Sequence, residues 1–243
     1  METLYFLAWK EILVRYKLPF LGILWALFRP LMTAFVFSFL FKVEGAPYFL
    51  FPLAALLPWQ FFSTSVQEMT PSLLNHANLI TKVYFPRSFL PLSVMIVNGV
   101  DFFVTLLLVL SLSLIIKGPS LKLLWFPLFF FELLLLTSGV GLFLSAITIK
   151  FRDVRFIVPF FIQMLLFLSP VAYDISVVPE VLREIYFINP LVSIIEGFRL
   201  VFLHQPLSST GLEQIISSMM TLLIFFGGVF VFNKEQRAFA DAL

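Results

Sequence analysis

The sequence predicts an all-α integral membrane fold in a single domain, residues 1–243, and three observations carry that prediction. Sixty per cent of the 243 residues are hydrophobic and 12% charged, with a mean hydropathy of +1.03, whereas a soluble domain carries about a quarter charged residues. Six mostly apolar windows lie between charged or Pro- and Gly-containing stretches, at 20–41, 48–66, 92–116, 123–148, 156–173 and 212–232. Each is close to the roughly 20 residues a helix needs to cross the hydrocarbon core. Lysine and arginine are also unevenly shared between the connections. With the N-terminus inside, Lys10, Arg15, Lys17, Lys82, Arg87, Lys150, Arg152, Arg155, Lys234 and Arg237 fall on one side and Lys42, Lys117, Lys122, Arg183 and Arg199 on the other. Basic residues are retained in the cytoplasm, so both termini are expected there.

Taken in order, residues 1–17 place Tyr5, Phe6, Trp9, Ile12, Leu13 and Tyr16 on one helical face beside Thr3, Lys10 and Lys17, the pattern of a helix lying in the membrane interface. The charges Glu2, Lys10, Glu11, Arg15 and Lys17 leave no continuous apolar core for a cleavable signal. Pro52 and Pro58 interrupt the second window, and Pro159 and Pro170 the fifth. Between the second and third windows, residues 67–91 are longer than a turn requires and mix Leu73, Leu74, Leu79, Ile80, Val83 and Tyr84 with polar residues, with Pro86 and Pro91 as stops. A cytoplasmic partner is expected to dock there. Residues 174–211 hold two short helical patterns, about 179–188 and 191–203, split by Asn189-Pro190. Each is too short to span, so both are expected at, or dipping into, the outer surface.

Three charges fall deep inside the windows, away from their ends: Arg29, Asp101 and Glu132. A charge at a helix centre costs about 2.5–3.5 kcal/mol on insertion scales. Their similar depth makes an Arg29–Asp101 or Arg29–Glu132 ion pair feasible, either as a packing device or as part of a polar lining or proton relay. Trp9, Trp25, Trp125, Tyr48, Tyr84, Tyr173 and Tyr186 suit interfacial belts. Trp59 sits mid-window between Pro58 and Gln60, equally suited to lining a cavity or to packing between helices, with Gln163 of the fifth window a weaker companion.

Several chemistries are excluded. Cysteine is absent, which removes disulfides, thiolate metal sites and Cys nucleophiles. No G-x-x-x-x-G-K-[ST] loop is present, so this chain does not bind ATP in the P-loop manner. His76 and His204 are the only histidines and are assigned to opposite sides of the membrane, so no metal site is expected. The scattered basic residues make no nucleic-acid surface, and no G-x-S-x-G elbow or H-E-x-x-H helix marks an enzyme.

Six fragments in order carry a family resemblance: R-Y-K-L-P-F-L-G-I-L-W-A-L at 15–27, L-L-P-W-Q-F-F at 56–62, N-L-I-T-K-V-Y-F-P-R at 78–87, F-R-D-V-R at 151–155, L-S-P-V-A-Y at 168–173 and I-N-P-L at 188–191. Together they resemble the ABC-2 type permeases, nearest the channel subunit of O-antigen polysaccharide ABC exporters, with capsule and teichoic-acid exporters as relatives. The resemblance implies an inner-membrane homodimer without a catalytic site, bound to two copies of a soluble P-loop ATPase that holds ATP and Mg, and moving an undecaprenyl-linked polysaccharide. It also implies a role in lipopolysaccharide biosynthesis. Asn78, Leu79, Ile80, Thr81, Lys82, Val83, Tyr84, Phe85 and Arg87 then match the ATPase-coupling helix, and Trp9, Arg15 and Tyr16 the gate helix. Pro179, Tyr186, Asn189, Pro190 and Phe198 match a periplasmic gate. Trp59, Gln60, Gln163 and Arg29 are candidates for the channel lining. Relatives commonly carry an uncharged residue where this chain has Arg29, which leaves its role between lining and pairing open. A proton-coupled secondary transporter using Arg29, Asp101 and Glu132 is the competing class.

Overall fold

The computed structural model describes residues 2–17, 24–40, 49–82, 85–179, 185–207 and 209–236, and all regular structure among them is helical. The helices are α1 (Glu2–Lys17), α2 (Leu24–Leu40), α3 (Leu50–Met69), the short α4 (Ser72–Asn75) and α5 (Ala77–Lys82), α6 (Phe89–Ile116), α7 (Phe126–Lys150), α8 (Val154–Phe167), α9 (Pro190–Leu203) and α10 (Gly211–Glu235). Three stretches are long and apolar enough to cross a membrane: α6, Leu121–Lys150, in which a 3-10 turn runs straight into α7, and α10. Two shorter apolar helices accompany them, Leu27–Leu40 within α2 and α8.

Helix α3 is the axis of the bundle. It packs against α2, α6, α7, α8 and α9, and its side chains are buried from Leu50 through Trp59. That all-round burial explains why the first half of the second window reads as apolar without a polar face. The fifth window fares differently. Its helix ends at Phe167, and the expected continuation to 173 is a series of turns. Pro170 has no N–H to donate and pushes the residue before it out of helical geometry. The 14 residues of α8 rise only about 21 Å.

Helix α9, expected at or dipping into the outer surface, is buried against the other helices along its entire length. Asn189 starts it by accepting a hydrogen bond from the Leu191 N–H at 3.1 Å, while its amide donates to the Ser169 hydroxyl at 3.0 Å. Pro190 follows at the first helical position, where a missing N–H costs nothing. Inside, Arg199 is 1% exposed. Its guanidinium donates to Glu196 at 2.9 Å and to the carbonyls of Tyr173 and Val171 at 3.2 and 3.4 Å, and lies 3.9 Å from the Phe51 ring centre. A buried cation is tolerated only when so surrounded, and the arrangement ties the turns after α8 to α9 and α3. His204, in the left-handed region at φ 56°, ends the helix, and Lys122 donates to its carbonyl at 2.7 Å.

Apolar side chains form two main bodies. The larger joins α3, α6, α7 and α9, with the rings of Phe102, Phe126, Phe130, Phe198 and Phe202 meeting edge-on or stacked. The smaller gathers Leu7, Leu73, Phe85, Leu90, Leu142, Ile149 and Phe232, so α1, α4, α6, α7 and α10 converge on one base. Helices α7 and α10 cross without side chains between them. A Cβ on Gly228 would lie 2.1 Å from the Gly139 carbonyl oxygen, and one on Gly139 would lie 2.6 Å from the Phe225 Cα. Close approach through small residues is how membrane helices gain packing energy. Gly228→Leu is expected to lower the apparent melting temperature in detergent by several degrees, overpacking costing about 1–3 kcal/mol or more. Gly227→Leu, where nothing lies within 4 Å of the added Cβ, should leave it unchanged.

Candidate functional site

Polar side chains recur at helical spacing on two facing helices. On α3, Gln60, Thr64 and Glu68 are four apart, and on α6 Asn98, Asp101 and Thr105 are three and four apart. Each set therefore lies on one face. With Arg15 and Tyr16 from α1 and Arg29 and Pro30 from α2, these residues enclose a cavity of about 370 Å³ whose apolar wall includes Leu57, Phe61 and Phe102.

The Arg15 guanidinium organises one side. It donates to Glu68 Oε2 at 2.6 Å, to Asp101 Oδ2 at 3.2 Å and to Asn98 Oδ1. The Asn98 amide donates to Glu68 Oε2 at 3.0 Å, and the Tyr16 hydroxyl donates to Asp101 Oδ1. Burial alone lowers the affinity of Arg15 for its proton, but Glu68 and Asp101 more than offset it and hold the guanidinium above its usual range. Burial, then the hydrogen bond to Asp101, pushes the Tyr16 hydroxyl up as well, so it stays a donor.

Arg29 stands apart from this cluster. Its side chain is exposed to the cavity, and no described residue pairs with it. Neither the Arg29–Asp101 nor the Arg29–Glu132 pair forms. Asp101 is held by Arg15 and Tyr16, and Glu132 accepts a hydrogen bond from Ser218 of α10. The cation that reaches Asp101 is Arg15 of α1 instead of Arg29. The spacing of Gln60, Thr64 and Glu68 against Asn98 and Asp101 was the signal that could have found it.

The protein-family model described as ABC-2 type transporter matches residues 2–203, five-sixths of the chain. The chain belongs to the ABC-2 type transporter family. It is similar to two proteins of Klebsiella pneumoniae named O-antigen export system permease protein RfbA, each 31% identical over 96% of this chain and 92% of the relative. A protein of the same name from Myxococcus xanthus is 29% identical over 98% of this chain and 94% of the relative.

In this ABC-2 permease the other sequence-derived site residues are dispersed. Trp59 is 6% exposed and packs in the main core beside Phe62, whereas Gln60 reaches the cavity. Gln163 is exposed on α8 among Phe160, Phe161 and Met164. Trp9 stacks on Tyr5, ring centres 6.2 Å apart, with Phe6 and Leu13 also exposed, so the apolar face of α1 points away from the bundle. In the coupling segment Asn78 is exposed, Leu79 and Phe85 pack into the smaller core, and Arg87 donates to the Gln236 carbonyl at the end of α10. Val83, Tyr84 and Tyr48, and the side chains of Ile80, Thr81, Lys82 and Trp25, lie outside the described residues. Of the gate residues, Pro179 is exposed, Phe198 is buried, and the Tyr186 and Tyr173 hydroxyls are 2.6 Å apart. Among the described residues no His, Asp and Glu cluster could hold a metal.

Two outcomes test this geometry. Arg15→Ala leaves Glu68 and Asp101 facing each other without a counter-charge and is expected to cost about 1–2 kcal/mol, the pair being partly exposed. Arg15→Lys, keeping the charge but not the fork, should recover part of the loss in melting temperature. Glu11 lies 3.8 Å from His76, and burial raises its pKa above the usual carboxylate range. A carboxyl whose folded pKa is raised favours the folded state when protonated and opposes it once ionised. Glu11→Gln should therefore be neutral to stabilising at pH 7–8, and that difference should vanish as pH falls through the Glu11 pKa in a melting series.

Proposed function

We propose that this chain is the channel-forming permease subunit of an ATP-driven exporter that moves lipid-linked polysaccharide of the O-antigen type across the bacterial inner membrane. It works as a homodimer with two copies of a soluble P-loop ATPase. Each copy crosses the bilayer six times, α2, α3 and α8 joining the three long stretches, with both termini cytoplasmic. The observation that carries this reading is the near full-length match to permeases named for O-antigen export.

The polar groups at membrane depth are consistent with it. Arg29 on α2, Gln60 on α3 and Gln163 on α8 are not fully buried in one copy, and an amide or guanidinium facing lipid is costly. A second copy and a wet translocation path between the two cover such groups. The cargo, a polyhydroxylated chain, gains from amide and guanidinium donors spaced along that path, with few strong contacts to hold it back. The coupling segment α4–α5 docks the ATPase, and the smaller core and the Arg87–Gln236 contact carry its movement to α1, α7 and α10. The relay reading has no support among the described residues, because Asp101 and Glu132 belong to separate hydrogen-bonded groups.

Reconstitution with the partner P-loop ATPase supplies the test. Transfer of polyprenyl-linked polymer across vesicle membranes should require ATP hydrolysis and persist when the proton gradient is collapsed; transport that stops with the gradient sinks the proposal. Arg87→Ala should lower polymer transferred per ATP by about 10- to 150-fold if the contact is worth the 1.5–3 kcal/mol of a hydrogen bond from a charged donor.

A further inference from the structure

The walls of the α1–α2–α3–α6 cavity carry charges that balance in number but not in place. Two carboxylates, Glu68 and Asp101, share the single guanidinium of Arg15. This leaves one negative charge in surplus on the α3–α6 wall. The second guanidinium, Arg29, lines the same cavity from α2 with no hydrogen bond or ion pair among the described residues. Opposite charges that line one cavity without touching leave the attraction between them unused. A ligand carrying the same two charges in reverse order relieves both.

We infer that this cavity is a binding site for the zwitterionic phosphoethanolamine headgroup of a bilayer phospholipid, its phosphodiester on Arg29 and its ammonium on the surplus charge of Glu68 and Asp101. Guanidinium is matched to phosphate by its planar fork of donors. The ammonium supplies three N–H donors to carboxylate oxygens that Arg15 and Tyr16 leave with free lone pairs. Leu57, Phe61 and Phe102 give the glycerol and first methylenes an apolar wall. The volume of about 370 Å³ suits a headgroup and leaves the acyl chains in the bilayer. A purely anionic headgroup satisfies Arg29 but meets the surplus carboxylate charge, and a choline headgroup brings no N–H donor to it. The inference needs only that α2, α3 and α6 lie in the bilayer. It does not depend on the cargo.

The test is native mass spectrometry of the full-length chain titrated with phosphatidylethanolamine, phosphatidylglycerol and phosphatidylcholine of identical acyl composition. Phosphatidylethanolamine should be retained about tenfold more strongly than either of the others, and Arg29→Gln and Glu68→Gln should each flatten that preference. Arg29→Lys should retain more of it than Arg29→Gln, and Gln163→Ala, outside the cavity, should retain all of it. The ranking of lipids on the unaltered chain stands even if a variant fails to fold. Equal or tighter retention of phosphatidylglycerol, or of a polyprenyl diphosphate, overturns the inference in favour of a plain anion site, as does an undiminished preference in Arg29→Gln. Loss of polymer transfer with the lipid ranking intact counts against the cargo alone.

Discussion

Charges set beside an aromatic core persist when they meet one another, and the contact of Arg15 with Glu68 and Asp101 is where this chain brings them together. One guanidinium bridges three helices, α1, α3 and α6. Its planar donors let it serve two carboxylates and an amide at once, which an ammonium could not do with the same geometry. Around it the rest follows: α1 is drawn against α6, the polar stripes of α3 and α6 face each other, and a polar cavity persists beside an otherwise aromatic core.

The helices themselves were largely legible in the sequence, because an apolar run long enough to cross a bilayer has few other uses. The ends of the third and sixth windows moved by only a few residues. The fifth ended early at Pro170, a residue visible in the sequence whose effect on the helix was underweighted. The site was harder to read. Arg15 lies about 50 residues from Glu68 and more than 80 from Asn98 and Asp101, so no local pattern announces their meeting. For Trp59 the sequence leaves lining and packing equally open; on a helix surrounded by five others the large ring turns into the core and the neighbouring Gln60 amide faces the space.

The two ends of the bundle are held by different kinds of contact. Outward of the cavity, α9 is locked by Arg199 and Asn189, and the aromatic cluster binds it to α6 and α7. Towards the base, α4 and Phe85 share their apolar contacts with the first and last helices. Movement of these residues therefore has more than one route into the bundle, and none of them passes through the buried Arg199.

The backbone contact between Gly139 and Gly228 bears on how such a bundle could change shape. With no side chains to repack at the crossing, α7 and α10 behave as a single beam whose two halves cannot slide past each other. Rearrangement is then left to the peripheral staves, α2 and α8, each anchored chiefly through α3. Any widening of the assembly is set by how those two swing about that post.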